Sequence, residues 1–287
     1  MKNILVTGSE GFIGSHLVEL LVKKEYNVKA FVFYNSFNNY GWLENIDKKI
    51  LSNLEVITGD IRDYSLVEQA CKKVDCVINL AALIGIPYSY KSPDSYIKTN
   101  TMGAMNIFEA AKKNNIHKII HTSTSEVYGT PKKVPIKENF LINAQSPYAA
   151  SKIAADQIAI SFYKSFNLPV TVLRPFNTYG PRQSARAVIP TIITQILKSK
   201  KLKLGNLDPT REFNYIDDTI SAFELEIKNK KCVGEIINIG NGYDISIRKL
   251  VQITSKLLDK KNKIQIDEKR IRVKSSEVMK LKSSNTK

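Results

Sequence analysis

The nine residues VTGSEGFIG, at positions 6–14, limit what this chain can fold into more than any other stretch. They set Gly8, Gly11 and Gly14 at three-residue spacing between an apolar run, NILVT, and a segment with apolar side chains at helical intervals, FIGSHLVELLVKK at 12–24. A helix N-terminus offers unpaired N–H groups and a positive dipole end, and glycine lets a phosphate approach the backbone closely. Three glycines alone would be ordinary turn residues. Set between a strand and an amphipathic helix, they predict a dinucleotide site for NAD or NADP on Gly8, Gly11, Phe12, Ile13 and Gly14.

The same alternation continues. NVKAFVF, LEVITG, CVINLAA, HKIIHTST and PVTVLRPF read as strands, and CVINLAA is a near-continuous apolar run of the kind covered on both faces. Helical segments are predicted at 63–73, at 93–114 after the start signal Ser92-Pro93, and at 146–166. This pattern predicts an α/β fold, a Rossmann-type doubly wound parallel sheet with ligands outside the carboxyl ends of its strands. From residue 177 the rhythm breaks into a turn-rich tract, a helix at 185–199, two short strands in REFNYIDD and GEIINIGNG, and a helix with a basic end. We therefore divide the chain into a cofactor-binding domain, 1–176, and a smaller, intimately attached substrate lobe, 177–287, with 212–241 partly returning to the first.

Composition excludes several function classes. The net charge is +16, but arginine supplies only eight of the 43 basic residues and the lysines lie in scattered pairs. That describes a solvated surface rather than a nucleic-acid stripe. No apolar run approaches the ~20 residues of a membrane helix. The first residues lack the layout of a signal peptide, so a cytoplasmic protein without a membrane partner is expected. Cys71, Cys76 and Cys232 read as reduced structural thiols, and His16, His117 and His121 have no metal-ligand spacing, so no metal is expected.

Chemistry is concentrated in two tracts. IIHTSTSEVYG, 119–129, ends a buried-looking strand with Thr122, Ser123, Thr124 and Ser125 and then Glu126, a pattern that spoils a core and makes a site. SPYAASK sets Tyr148 and Lys152 four residues apart, on one helix face. An ammonium beside a phenol lowers its pKa and makes tyrosine a usable base, although a surface pair would have the same spacing. The second strand ends AFVFYNSFNN, without the acid that normally receives the adenosine ribose and without a cation for the NADP phosphate, which leaves NAD and NADP both open. TGDIRD puts Asp60 and Ile61 where an adenine could be clamped, while Asp63 suits a helix cap.

Taken in order, TGSEGFIG, HTSTSEVYG, YAASK and RPFNTYGPR resemble the extended short-chain dehydrogenase/reductase family of nucleotide-sugar epimerases and dehydratases over essentially the whole chain. AFVFYNSFNNYGWLE and GPRQSARAVIPTIITQ are similar to the GDP-N-acetylglucosamine 4,6-dehydratase branch of legionaminic acid biosynthesis. The resemblance implies a recycled NAD or NADP that also meets Leu80, Ala81 and Ala82, a sugar-nucleotide substrate, and a homodimer built on the helices at 93–114 and 146–166. It implies that Thr124 bonds the sugar hydroxyl beside Tyr148 and that hydride passes to the nicotinamide. Glu126, with Ser125 where other dehydratases carry Asp, would serve both as base at carbon 5 and as acid for water loss. Asn177, Arg182, Arg211 and Arg272 match substrate positions, although Val273 replaces the usual proline and leaves that loop's placement open. Arg182 and Arg186 are weighed against a surface salt bridge, Asp217 and Asp218 read as caps, and Asn79 reads as scaffold. Relatives continue for another helix or two beyond SSNTK, about 30 residues at ordinary element lengths. UDP-glucuronate decarboxylases also carry Thr-Ser-Glu, and a 4-epimerase or a non-enzymatic NAD(P)-binding module are further alternatives.

Overall fold

The computed structural model describes residues 1–287. Six strands come from the first part of the chain: β1 (Asn3–Thr7), β2 (Asn27–Phe33), β3 (Leu54–Gly59), β4 (Cys76–Asn79), β5 (Lys118–Thr122) and β6 (Val170–Pro175). Six more follow: β7 (Asn177–Tyr179), β8 (Lys201–Leu204), β9 (Thr210–Tyr215), β10 (Ile236–Ile239), β11 (Asp244–Ser246) and β12 (Lys263–Ile266). The first six and β10 form one parallel sheet of seven strands in the order β3-β2-β1-β4-β5-β6-β10. The order reverses between β1 and β4, and that reversal opens the crevice where ligands bind in such sheets.

Side-chain alternation along each strand feeds two cores. Leu5, Val77 and Ile119 join one cluster with helices Tyr64–Ala70, Gly103–Lys113 and Pro147–Phe166. Ile4, Val6, Cys76, Ile78 and Ile120 join the other, under helices Phe12–Lys23 and Ile216–Lys228. Burial on both faces is why these strands read as apolar runs rather than as polar–apolar alternation. The Rossmann-type sheet is the fold expected from the sequence.

Two smaller sheets lie beyond it. In one, β9 sits between β7, parallel, and β11, antiparallel; in the other, β8 pairs with β12. The last residues are tied back into the molecule: Val278 and Leu281 are buried, and the fully buried Glu212 accepts from Ser283 N–H and Ser283 Oγ. Ser284 N–H also donates to the Ile136 carbonyl at 2.8 Å.

Local differences from the sequence reading have identifiable causes. The helix expected at 93–114 is regular only over Pro93–Tyr96 and Gly103–Lys113; Ile97–Met102 between them is π-helical. There Asn100 accepts from Leu83 N–H at 2.8 Å and donates to the Leu83 carbonyl and to Ser151 Oγ, both at 2.9 Å. Three bonds to other segments hold a widened turn that would otherwise be unfavourable. The helix with the basic end begins at Ile247, because Asp244–Ser246 pairs with β9 first. Asp63 does cap its helix, accepting from Leu66 N–H at 3.3 Å. Asp217 and Asp218 are not caps: they lie within the first turn of Ile216–Lys228, where the dipole still favours an acid.

Candidate active site

The glycine turn runs from the end of β1 into helix Phe12–Lys23. Gly8 has φ +68°, and a Cβ there would meet Ala81 N at 2.9 Å. A Cβ on Gly14 would lie 2.1 Å from the Gly8 carbonyl oxygen, so side chains at both positions are excluded by the packing of turn, helix and β4 loop. At Gly11 an added Cβ would meet only that carbonyl, at 3.2 Å, and no side chain caps the helix at Phe12 and Ile13. The first-turn N–H groups are thus presented to an open approach of the kind a phosphate takes. Leu80 and Ala81 pack against Gly8, with Ala82 next in the chain, and Ala81 N–H donates to Thr7 Oγ1 at 3.1 Å. Thr7 Oγ1 donates in turn to Asn79 Oδ1 at 2.7 Å, and Asn79 is 3.3 Å from His121 Nδ1, so Asn79 is part of the scaffold.

Asp60 and Ile61 stand at the end of β3. Ile61 is buried, and Asp60 is clasped by Arg62, whose Nε lies 2.9 and 3.0 Å from its two oxygens. That guanidinium holds the Asp60 carboxyl below its ordinary pKa. The residues present fit a dinucleotide: an open glycine turn, a free helix start, and a buried carboxylate oxygen, Glu10 Oε2, that has no partner in the chain.

The hydroxyl row follows β5. Thr124 stands at the start of a short 3₁₀ turn, Ser125–Tyr128, and its Oγ1 accepts from Glu126 N–H at 3.2 Å. Its own O–H is left to donate elsewhere. Ser125 is buried beside it. Helix Pro147–Phe166 starts at Ser146, which accepts from Ala149 N–H, and turns Tyr148 and Lys152 inward toward this row. Tyr148 packs edge-to-face on Tyr96 with ring centroids 6.2 Å apart.

The expected lowering of the phenol pKa by Lys152 is not what the geometry gives. Burial carries Tyr148 well above its ordinary value, Thr124 pulls the other way, and nearby Glu126, Tyr96 and Asp156 push it further up. The Lys152 ammonium is instead directed at the Thr122 carbonyl. Its own enclosure lowers its pKa to about 8, against the Asp156 carboxylate. The charged fraction of Lys152 therefore falls as pH rises through about 8, and kcat/KM is expected to fall with it. In Lys152→Arg, whose side chain stays protonated, that alkaline limb should vanish from the pH profile even as the rate drops.

Behind the row lies a network that sequence reasoning missed. Asp156, four residues after Lys152, accepts from Ser123 Oγ at 2.8 Å and from Arg174 Nε and Nη2 at 3.1 and 2.8 Å. Arg174 Nη1 donates to Tyr128 Oη at 2.9 Å, and Tyr128 donates to Asn238 Oδ1 at 2.8 Å. All of these side chains are buried, so each charge has its partner where water cannot supply one. The available signal was an arginine inside the apolar run VTVLRPF and an aspartate on a mostly apolar helix. His121, enclosed beside Lys152 and held well below its ordinary pKa by burial, is a neutral packing residue.

From the second lobe, β9 brings Arg211 in. Burial lowers the Arg211 pKa, and the negative charge of nearby Glu126 works against that. Arg211 Nη2 and Arg272 Nη1 lie 3.4 and 3.7 Å from the same Glu277 oxygen, so one carboxylate faces two guanidiniums and positive charge is left over. Asn177, on β7, has a buried Oδ1 without a partner. Arg182 is placed elsewhere: its Nη1 donates to Glu19 Oε2 at 2.6 Å and to Ser15 Oγ at 3.3 Å, on the helix after the glycine turn. No helix is long and apolar enough to cross a membrane.

The family described as GDP-mannose 4,6 dehydratase matches residues 5–287 of this sequence. The chain belongs to that family. It is 36% identical over 265 residues to the dTDP-D-glucose 4,6-dehydratase of Dictyostelium discoideum, covering 86% of this chain and 60% of that protein. It is 32% identical over 270 residues to the human dTDP-D-glucose 4,6-dehydratase, covering 91% of this chain and 75% of that protein. Among solved structures, Pal from Bacillus thuringiensis superposes with a TM-score of 0.87 at 33% identity, over 98% of this chain and 89% of that one. A UDP-N-acetylglucosamine 4-epimerase from Methanobrevibacter ruminantium M1 superposes with a TM-score of 0.89 at 32% identity, over 99% and 90%. A Streptomyces venezuelae dTDP-glucose 4,6-dehydratase solved with NAD bound gives 0.87 at 28% identity, over 98% and 88%. This member of the dehydratase family is an enzyme of the NAD-dependent nucleotide-sugar class.

Proposed function

We propose that this chain is a nucleotide-sugar 4,6-dehydratase that converts an NDP-hexose, GDP-N-acetylglucosamine or a close relative of it, to the 4-keto-6-deoxy sugar. One observation carries the reading: Glu126 follows the hydroxyl row at Thr124 and Ser125, and its charge acts on both Tyr148 and Arg211, so a carboxylate stands in the neighbourhood of the phenol and of an arginine from β9. Residues 1–176 hold the cofactor and 177–287 carry the substrate contacts. Arg211 and Arg272 release Glu277 to grip the diphosphate, bidentate pairing being what a guanidinium does best. Asn177 Oδ1 accepts from the bound sugar nucleotide. Thr124 donates to the carbon-4 oxygen, and Tyr148 takes the proton from that hydroxyl as a phenolate, the form that the Lys152 ammonium and the charge of a bound nicotinamide would favour against the burial that opposes it. A nicotinamide held beside the glycine turn would supply reversible hydride storage and a positive charge in the crevice. Glu126 removes the carbon-5 proton, made acidic by the carbon-4 ketone, and passes a proton to the departing carbon-6 hydroxyl, which leaves as water; return of the stored hydride to carbon 6 and of a proton to carbon 5 then closes the double bond and gives the 4-keto-6-deoxy sugar. A cytoplasmic homodimer through 93–114 and 146–166 belongs to the same proposal, with exposed Ile97 and Met102 supporting it.

The second reading is a UDP-glucuronate decarboxylase or a 4-epimerase. Favouring it, a UDP-glucuronic acid 4-epimerase from Bacillus cereus superposes at 0.87 with 30% identity. Mass spectrometry after incubation with GDP-N-acetylglucosamine, GDP-mannose and UDP-glucuronate separates them. Loss of water from a GDP-sugar is the expected result; carbon dioxide from UDP-glucuronate, or isomerisation without mass change, sinks the dehydratase reading. Salt-sensitive nucleic-acid binding without turnover would favour the non-enzymatic module.

A further inference from the structure

β2 ends in Phe33, and the residues after it, YNSFNNY at 34–40, bring neither an acid for the adenosine ribose nor a cation for a 2′-phosphate. A carboxylate reaches that point from another element. Glu10, inside the glycine turn, lays its side chain across to β2, where Oε1 accepts from Phe33 N–H at 3.2 Å. Its carbonyl accepts from Trp42 N–H at 3.0 Å, and Gly41, at φ +55°, leaves room beside its side chain. The loop after β2 is thus moulded on Glu10. The second oxygen, Oε2, is buried and has no partner, and burial raises the carboxyl pKa. A buried acceptor left unsatisfied at the junction of glycine turn and β2 is costly unless a ligand donor fills it.

We propose that Glu10 is the residue that selects the cofactor: its carboxylate accepts the adenosine ribose hydroxyls in place of the missing β2 acid and repels a 2′-phosphate, so the chain uses NAD and not NADP. The nearby cation that could answer a phosphate is already committed. Arg62, at the end of the neighbouring β3, is closed onto Asp60 through Nε and Nη2. Asn35 is likewise spent on its own loop, donating to the Asn39 carbonyl at 2.8 Å and accepting from Phe37 N–H at 3.1 Å. The inference concerns cofactor binding alone and holds whether the sugar is dehydrated, decarboxylated or epimerised.

The test is to identify the cofactor released from purified protein on denaturation, then to titrate cofactor-depleted wild type and Glu10→Gln with NAD⁺ and NADP⁺ by calorimetry. Gln keeps an oxygen for Phe33 N–H, so the loop is retained. NAD is expected in the released fraction, with wild type binding NAD⁺ at least roughly tenfold more tightly than NADP⁺. Glu10→Gln should weaken NAD⁺ by roughly tenfold and leave NADP⁺ unchanged or tighter, collapsing the preference. Release of NADP, or equal weakening of both cofactors by the variant, overturns the assignment, the second outcome marking a purely structural role.

Discussion

Glu126→Gln is expected to reduce its cofactor when sugar nucleotide is added and then to stall, with water elimination slowed by ~10²–10⁴-fold, the usual range for removal of a general base. The substitution is nearly isosteric, and the bond holding the turn runs from the Glu126 backbone N–H to Thr124 Oγ1, so the hydroxyl row keeps its shape. What is lost is the carboxylate's ability to accept the carbon-5 proton. Stopped-flow absorbance of the reduced nicotinamide and product mass report the two stages separately. Elimination at the wild-type rate would remove Glu126 from the mechanism.

Tyr148→Phe should fail one step earlier. The carbon-4 hydroxyl then has no acceptor for its proton, so cofactor reduction and product formation both drop, again by ~10²–10⁴-fold. Phe retains the edge-to-face packing on Tyr96. The melting temperature is expected to move by only a few degrees. Rapid cofactor reduction in this variant would remove Tyr148 as the base for that step. The pair of variants therefore orders the chemistry: one halts before the nicotinamide changes, the other after.

Much of this was legible in the sequence, because the information is local. The glycine turn is a contiguous nine-residue pattern, and Tyr148 and Lys152 share a face by helix period alone. Strands covered on both sides announce themselves as apolar runs, so the parallel sheet followed. The unreadable parts depend on partners far along the chain. Arg182 meets Glu19, 163 residues earlier, and no turn motif encodes that choice. Ile97–Met102 has an ordinary helical pattern, and only Asn100's bonds to Leu83 and Ser151 explain the π turn. The Lys152 effect on Tyr148 failed for a similar reason: spacing places two groups on one face, but burial and the Thr122 carbonyl decide what each one does. Glu10 was overlooked because a turn between three glycines reads as connection, whereas its carboxylate travels to the next strand.

The chain of contacts from Asp156 through Arg174 and Tyr128 ends on Asn238, in the last strand to join the main sheet. A ribosome must therefore deliver more than sixty residues beyond Arg174 before the backing of the reactive hydroxyls is finished. Until Asn238 is in place, Tyr128 lacks the acceptor that completes this network. Duplication or shuffling that exchanged everything after residue 176 would carry away a support of the reactive groups along with the specificity loops.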